Sequence, residues 1–329
     1  MKIAVVGAGS IGGWFAFKMA EAGHRVSAVA RGPTLAALRE HGIRMKQGET
    51  VRALPVAASD DAASLGPQDL VVVAVKGPAL AAVAPAAAAL MGPQTVLLPA
   101  MNGVPWWFFE GMAGPLGGRP LASIDPEGRI GALLPPRRVI GCVVHAACVS
   151  PEPGVVVHRA GNELIIGEPD GSASSRLDEV AEALRSGGFD VEVAPRIQQA
   201  IWYKLWGNMT MNPISAMCGA TADRILDDPL VNDFILQVMA EAAKVGEGIG
   251  CPITESGEDR NAVTRKLGAF KTSMLQDAEA GRPLELDALL SAPREIAGWL
   301  DVPTPAMGGL LGLSRLFARS RGLYPQVAD

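Results

Sequence analysis

The pattern of hydrophobic residues changes along the chain and predicts a different kind of structure for each part. The first half carries short unbroken apolar runs, such as residues 69–77 (DLVVVAVKG) and 95–103 (TVLLPAMNG). Such runs are typical of buried parallel strands, because helices cover both faces of a parallel sheet. From Pro195 on, apolar residues recur with a period of 3.6, which predicts helices.

The remaining pattern fills in the two halves. Residues 138–171 predict antiparallel strands, followed by a helix near 174–187 and a strand at 189–194, whereas residues 113–138 predict a loop. Helices are predicted at about 196–219, 229–249, 257–279, 284–301 and 306–320. The fold class is therefore an α/β N-terminal Rossmann-type domain over 1–195 and an all-α bundle over 196–329. The cleft between two such domains is the expected ligand site.

Composition narrows the classes of partner. A net charge of −5 and a pI near 5.5 argue against nucleic acid, which needs a basic face. The longest weakly polar run, residues 78–93, is too short to span a bilayer, and no secretory pattern opens the chain. Four cysteines lack metal-ligand spacing, which predicts no metal site and reduced thiols in a cytoplasmic protein. The oligomeric state stays open, with a homodimer as one option.

A glycine-rich turn follows the first apolar run and precedes an amphipathic segment. Gly7 permits a tight turn, Gly9 lets the backbone approach a pyrophosphate, and Gly12 allows close packing of helix on strand. The phosphate would meet free N–H groups at the helix N-terminus. A glycine turn in some other α/β protein is the alternative. The candidate cofactor-binding residues here are Gly7, Ala8, Gly9, Ser10, Ile11 and Gly12.

The end of the second strand selects the dinucleotide. NAD-dependent enzymes place a carboxylate there for the ribose 2′-hydroxyl, whereas this chain has Arg31, which can pair with a 2′-phosphate. The sequence therefore favours NADP, unless Arg31 is an ordinary surface arginine. Lys76 and Asn102 end two later apolar runs and are candidates for the nicotinamide side, although Lys76 could equally be a solvated lysine.

Polar residues interrupt two apolar helical segments. In residues 201–216 (IWYKLWGNMTMNPISA), Lys204, Asn208 and Asn212 recur every four residues and form one stripe on a helix. A ketone that receives hydride needs a proton donor at its oxygen, which a lysine at a cleft supplies. The alternative is a lysine that only extends its charge to solvent. In residues 271–290, Ser273 could bind substrate, and Glu285 is either a substrate-orienting carboxylate or a helix-dipole partner.

These pieces together resemble the 2-dehydropantoate 2-reductases, also called ketopantoate reductases. The matching motifs occur in the family's order across nearly the whole chain. They are GAGSIGG at 7–13, Arg31, VK at 75–76, NG at 102–103, KLWGNMTMNPISA at 204–216 and KTSMLQDAEAGRPLELDAL at 271–289. The resemblance implies that NADPH binds between a Rossmann domain and a helical domain like the C-terminal one of 6-phosphogluconate dehydrogenases. It implies the reduction of 2-dehydropantoate to pantoate, a step of pantothenate and coenzyme A synthesis.

The resemblance also implies residue roles. Lys204 would be the general acid, and Glu285 would bind both a substrate hydroxyl and the lysine. Lys76 would lie beside the nicotinamide. The substrate-binding residues would be Asn208, Asn212, Ser273 and Asn102, with Asn102 also near the cofactor.

Several departures leave the exact keto acid open. Pro78 and Leu80 follow the strand-end lysine, Phe270 stands where some members have asparagine, and VPWWFFE (104–110) replaces a small turn. The four aromatic residues of that segment could line the pocket or pack as an ordinary helix. One alternative is a related NADP-dependent reductase of another 2-keto acid, or a 3-hydroxy acid dehydrogenase. Another is a non-enzymatic NADP-sensing module.

Overall fold

The computed structural model describes residues 1–326, which form two compact units. Unit 1 comprises Met1–Met101, Trp106–Pro120 and Glu127–Ala200, and unit 2 comprises Asn102–Pro105, Leu121–Pro126 and the chain from Ile201 on. Two short segments from the first half of the sequence therefore belong to the mainly helical unit. The predicted division at 195/196 stays a prediction.

Unit 1 contains ten strands in two sheets. They are β1 Lys2–Val6, β2 Arg25–Val29, β3 Ile43–Gln47, β4 Thr50–Leu54, β5 Ala57–Ser59, β6 Gln68–Val73, β7 Met91–Pro99, β8 Gly141–Val149, β9 Val155–Gly167 and β10 Asp190–Val193. The first sheet is wholly parallel, with the order β5-β2-β1-β6-β7. The order reverses beside β1, and dinucleotides bind at such a switch point. The predicted Rossmann-type sheet is confirmed.

The second sheet has the order β10-β9-β3-β4, with β8 paired antiparallel to β9. The antiparallel strands predicted within 138–171 are therefore confirmed, and β9 also pairs in parallel with β3 and β10. The hairpin of β3 and β4 was not predicted, although Ile43 and Met45 alternate with more exposed neighbours. Each of the two strands has only five residues, so the alternation is too short to predict a hairpin.

Unit 1 also contains five helices: α1 Ser10–Glu21, α2 Gly32–His41, α3 Leu80–Ala89, α4 Arg129–Leu133 and α5 Ser175–Ser186. Helix α1 contacts β1 and β2 of the first sheet and β3 and β9 of the second. Trp14, Phe15 and Phe17 of α1 are consequently all buried. This helix thus supplies the core that the two sheets share.

Residues 197–326 contain seven α-helices: α6 Ile197–Cys218, α7 Ala222–Asp227, α8 Pro229–Gly248, α9 Gly257–Arg265, α10 Ser273–Glu279, α11 Ala292–Trp299 and α12 Pro305–Ser320. The first four residues of α6 belong to unit 1, and the rest of these helices belong to unit 2. A π-helical turn, Asp287–Ser291, precedes α11. The helices predicted at 196–219, 229–249 and 306–320 are confirmed. No helix within residues 1–326 is long and apolar enough to cross a membrane.

Four predictions about elements were wrong in detail. The helix predicted over 257–279 is two helices, because the chain leaves α9 through Gly268, whose φ is 64°, and Thr272 caps α10. The helix predicted over 284–301 begins only at Leu286, with the π turn. Helix α7 was missed, and the predicted loop 113–138 contains α4.

The aromatic segment 106–109 forms turns rather than a helix, and all four of its rings are buried. Trp106 donates its indole N–H to the Leu134 carbonyl oxygen at 3.0 Å within unit 1. The Trp107 ring and Ile197 occupy the space that a Cβ on Gly141 would need. These residues therefore build the core of unit 1.

Candidate active site

The glycine turn between β1 and α1 is tightly packed at its first and third glycines. Gly7 has φ 95°, and its N–H bonds to the Val29 carbonyl oxygen at 3.3 Å. A Cβ there would lie 2.6 Å from Val75 Cγ1. A Cβ on Gly12 would collide with the carbonyl oxygen of Gly7 itself. Both positions therefore exclude any side chain.

Gly9 differs, because a Cβ there would meet no atom within 4 Å. It is the exposed N-cap of α1, with no side-chain cap and no acidic residue in the first turn. The start of α1 thus has open space beside Gly9 and no acidic side chain in its first turn, which suits a bound phosphate. Ala8 of this turn is buried, whereas Ser10 and Ile11 are half-buried. The turn fits a dinucleotide pyrophosphate.

Arg31 lies beside this turn. It is exposed, two residues beyond Val29, whose carbonyl oxygen holds Gly7. It is also the N-cap residue of α2, whose first turn contains no carboxylate. In Rossmann-type sheets, residues just after the second strand contact the ribose of a dinucleotide. The guanidinium group of Arg31 is therefore a candidate for that contact.

Lys76 lies on the opposite side of β1 from Arg31. Strand β6 ends at Val73, and Ala74 donates its N–H to the Val6 carbonyl oxygen at 3.0 Å at the end of β1. Lys76 then begins a 3₁₀ turn, Gly77–Ala79, and is half-buried. It lies three residues past the last residue of β6, at the carboxyl end of that strand.

Helix α6 carries the predicted polar stripe. The Lys204 ammonium group donates a hydrogen bond of 2.8 Å to Oδ1 of Asn102, within unit 2. Lys204 and Asn208 are half-buried, and Asn212 is buried. Trp202 and Leu205 on the other faces are buried. Buried polar side chains also occur off the stripe, at Gln198, Thr210 and Ser215.

Asn102 reaches Lys204 from a segment that contacts the π turn. Strand β7 ends at Pro99, so Asn102 lies three residues past it. Two residues further, Val104 donates its N–H to the Ala288 carbonyl oxygen at 2.9 Å. Glu285 is buried three residues before Ala288. The structure therefore brings Asn102 into direct contact with Lys204 and links it, through backbone, to the segment of Glu285.

The π turn is stabilised by side chains that the sequence did not single out. Asp287 accepts hydrogen bonds from Tyr324 Oη at 2.5 Å and from Ser291 Oγ at 2.8 Å, and Arg315 Nη2 lies 3.7 Å from the carboxylate. Burial and this bond to Asp287 raise the pKa of Tyr324, so its hydroxyl remains a donor. No local sequence pattern links residue 324 to residue 287.

Ser273 is the first residue of α10 and is half-buried. Thr272, the N-cap, accepts a hydrogen bond from the Leu275 N–H at 3.2 Å, which explains why the helix starts there. Within residues 1–326, His, Cys, Asp and Glu form no group that could hold a metal ion.

Sheet order, glycine turn and open helix N-terminus together define a dinucleotide-binding protein with a lysine-bearing helical unit. Comparison with known proteins makes the class more specific. The family model "Ketopantoate reductase PanE/ApbA" matches residues 3–171, and the model of its C-terminal part matches residues 196–318.

Individual relatives agree with these models. The 2-dehydropantoate 2-reductase of Mesorhizobium japonicum is 41% identical over 98% of this chain and 100% of its own length. A crystal structure of a suggested ketopantoate reductase from Ralstonia solanacearum MolK2 has a TM-score of 0.95 and 54% identity, covering 98% of this chain and 99% of that one. The 2-dehydropantoate 2-reductase structure from Methylococcus capsulatus has a TM-score of 0.83 and 26% identity, covering 99% of both chains.

The chain therefore belongs to the ketopantoate reductase family. Members of this family are oxidoreductases that act on a CH–OH group and use a nicotinamide dinucleotide.

Proposed function

We propose that this protein reduces 2-dehydropantoate to pantoate with NADPH as the reductant. One observation within the chain carries the proposal: the half-buried Lys204 of helix α6 donates a hydrogen bond to Asn102. The 41% identical relative from Mesorhizobium japonicum supports the choice of keto acid. The cysteines form no disulfide within residues 1–326, which supports a cytoplasmic location as part of the same proposal.

In the proposed reaction, Lys204 is the general acid. NADPH, when bound, supplies the hydride that reduces the ketone carbon. The ketone oxygen gains negative charge as this happens, and the Lys204 ammonium group both stabilises that charge and donates the proton. Asn102 accepts one of the three N–H bonds of the ammonium group, which sets its direction without neutralising its charge.

The other polar groups of unit 2 hold the substrate in this proposal. Asn208 and Asn212 supply neutral donors and acceptors along the same stripe and orient Lys204. Ser273 and Asn102 bind the carboxylate of the keto acid through their donor groups. Glu285 is buried in unit 2, and we assign it the binding of the substrate hydroxyl and of Lys204.

Unit 1 provides the nucleotide site. The glycine turn Gly7–Gly12 holds the pyrophosphate at the start of α1, where a Cβ on Gly9 would meet empty space. Arg31 pairs with the 2′-phosphate that distinguishes NADPH from NADH, because guanidinium bonds to phosphate are strong and bidentate. Lys76 and Asn102 contact the nicotinamide side.

The direct test is the loss of NADPH absorbance with purified protein and 2-dehydropantoate. Pyruvate and 2-oxoisovalerate serve as substrate controls, and NADH serves as the cofactor control. A specificity constant much higher for 2-dehydropantoate with NADPH than for any other pair would support the proposal. Tight NADPH binding without turnover of 2-dehydropantoate would refute the substrate assignment.

A further inference from the structure

The π turn before α11 leaves one backbone carbonyl group without its usual partner. In an α-helix the N–H of residue 292 would bond to the carbonyl oxygen of residue 288. Here the Ala292 N–H bonds to the Asp287 carbonyl oxygen, five residues back. In the same register, the next N–H along the chain would reach Ala288. That residue is Pro293, which has no N–H.

A different segment of unit 2 fills this vacancy. The Val104 N–H donates to the Ala288 carbonyl oxygen at 2.9 Å. Val104 is 1% exposed, so water cannot readily replace Ala288 as the partner of its N–H. Gly103 permits the approach, because its φ is 80° and a Cβ would lie 2.6 Å from both Cβ and the carbonyl oxygen of Ala288.

The bond bears on Asn102, which precedes Val104 by two residues. With Val104 held by Ala288 and Gly103 in close contact with it, the backbone of Asn102 has little freedom. Its side chain accepts the Lys204 hydrogen bond at 2.8 Å. The π turn is itself held by the bonds of Asp287 to Tyr324 and Ser291, so the anchor does not depend on Val104 alone.

We propose that Pro293 is a positioning residue for the reduction: by withholding a donor, it reserves the Ala288 carbonyl group for Val104 and so keeps Asn102 against Lys204. The catalytic part of this inference rests on the proposed function, since Lys204 must be the proton donor. Pro293 follows the π turn in a helix that runs on from Leu286 without a break. The five-residue register and the missing N–H together leave the Ala288 carbonyl group to Val104.

The test variant is Pro293→Ala, which restores an N–H near Ala288. The matched control is Pro229→Ala, a proline in the first turn of α8 that is exposed and has no part in the site. We expect faster hydrogen exchange at the Val104 amide, measured by NMR, only in Pro293→Ala. We also expect kcat to fall about fivefold, as for the loss of one neutral hydrogen bond, and KM for NADPH to change in the same direction as in Asn102→Ala.

A double-mutant cycle separates positioning from general stability. If Pro293 acts through Asn102, then Pro293→Ala added to Asn102→Ala should cause no further loss of kcat. Additive losses would overturn the role through Asn102. Unchanged Val104 exchange and unchanged kcat in Pro293→Ala would overturn the whole inference.

The exchange measurement also distinguishes this inference from the proposed function. If the wild-type protein reduces no keto acid, the proposed function fails, and the catalytic role of Pro293 fails with it. The effect of Pro293→Ala on the Val104 amide would still show whether the proline reserves the carbonyl group.

Discussion

Replacing Gly9 by alanine should separate dinucleotide binding from folding. Gly9 has φ −82° and ψ −149°, so an alanine there avoids the left-handed region, while this ψ lies about 30° beyond the β range. A Cβ at this position meets nothing within 4 Å in the protein. The added methyl group would instead project into the space before α1, where the pyrophosphate is proposed to bind.

The effects on the fold and on binding can be measured separately. The added methyl group meets no protein atom, so the fold should keep most of its stability. A phosphate displaced from one backbone N–H loses a charge-assisted bond of about 1.5–3 kcal/mol. That loss raises the dissociation constant for NADPH roughly 10- to 150-fold.

Gly12→Ala is the comparison variant in the same turn. A Cβ at Gly12 would collide with the Gly7 carbonyl oxygen, a backbone atom that cannot rotate away. We expect this variant to melt at a clearly lower temperature without ligand, whereas Gly9→Ala should melt close to the wild-type temperature. The dissociation constants come from titration of NADPH fluorescence.

A folded Gly9→Ala variant with wild-type affinity for NADPH would refute the reasoning. It would mean that the pyrophosphate does not approach the start of α1, whatever the glycine pattern suggests. Weak binding accompanied by a large loss of stability would contradict the claim that the space around Gly9 is open.

Three further predictions concern single side chains. Lys204→Ala should lower kcat about 100-fold or more with little change in NADPH affinity, because it removes the general acid; unchanged turnover in a stopped-flow assay would exclude that role. Arg31→Ala should weaken NADPH binding about tenfold or more and leave NADH binding unchanged, and parallel losses by calorimetry would remove Arg31 from the 2′-phosphate site. Burial raises the pKa of Cys148 to about 12, so at pH 8 its thiol should react slowly with a disulfide reagent. The exposed Cys218 should react fast, and Cys218→Ser should abolish the fast phase; a persistent fast phase would assign it elsewhere.

Local patterns predicted the parts of the fold that depend on neighbouring residues. The predicted strand, turn and helix around Gly7–Gly12 are confirmed, and the long helix α6 lies within a few residues of its predicted bounds. The break between α9 and α10 was also readable, since Gly268 and Thr272 are typical end and cap residues. The π turn was not readable, because a tertiary contact with Val104 and the Asp287 side-chain bonds stabilise it.

The same distinction applies to the candidate site. The alignment of Lys204, Asn208 and Asn212 follows from helix geometry alone, so their spacing predicts it. The pairing of Asn102 with Lys204 joins residues 102 positions apart, and only the resemblance to a family suggested that both act together. No pattern in the sequence links Val104 with Ala288, because a backbone N–H and a backbone carbonyl group carry no residue signature.

The two units contain different parts of the proposed site. The residues proposed for the keto acid all belong to unit 2, even though Asn102 comes from the first half of the sequence. The glycine turn, Arg31 and Lys76 belong to unit 1. Substitutions in unit 1 should therefore change the preferred dinucleotide without changing the preferred keto acid. Asn102 belongs to unit 2, but we propose that it contacts both NADPH and the keto acid. Its replacement should therefore alter KM for NADPH and KM for the keto acid together.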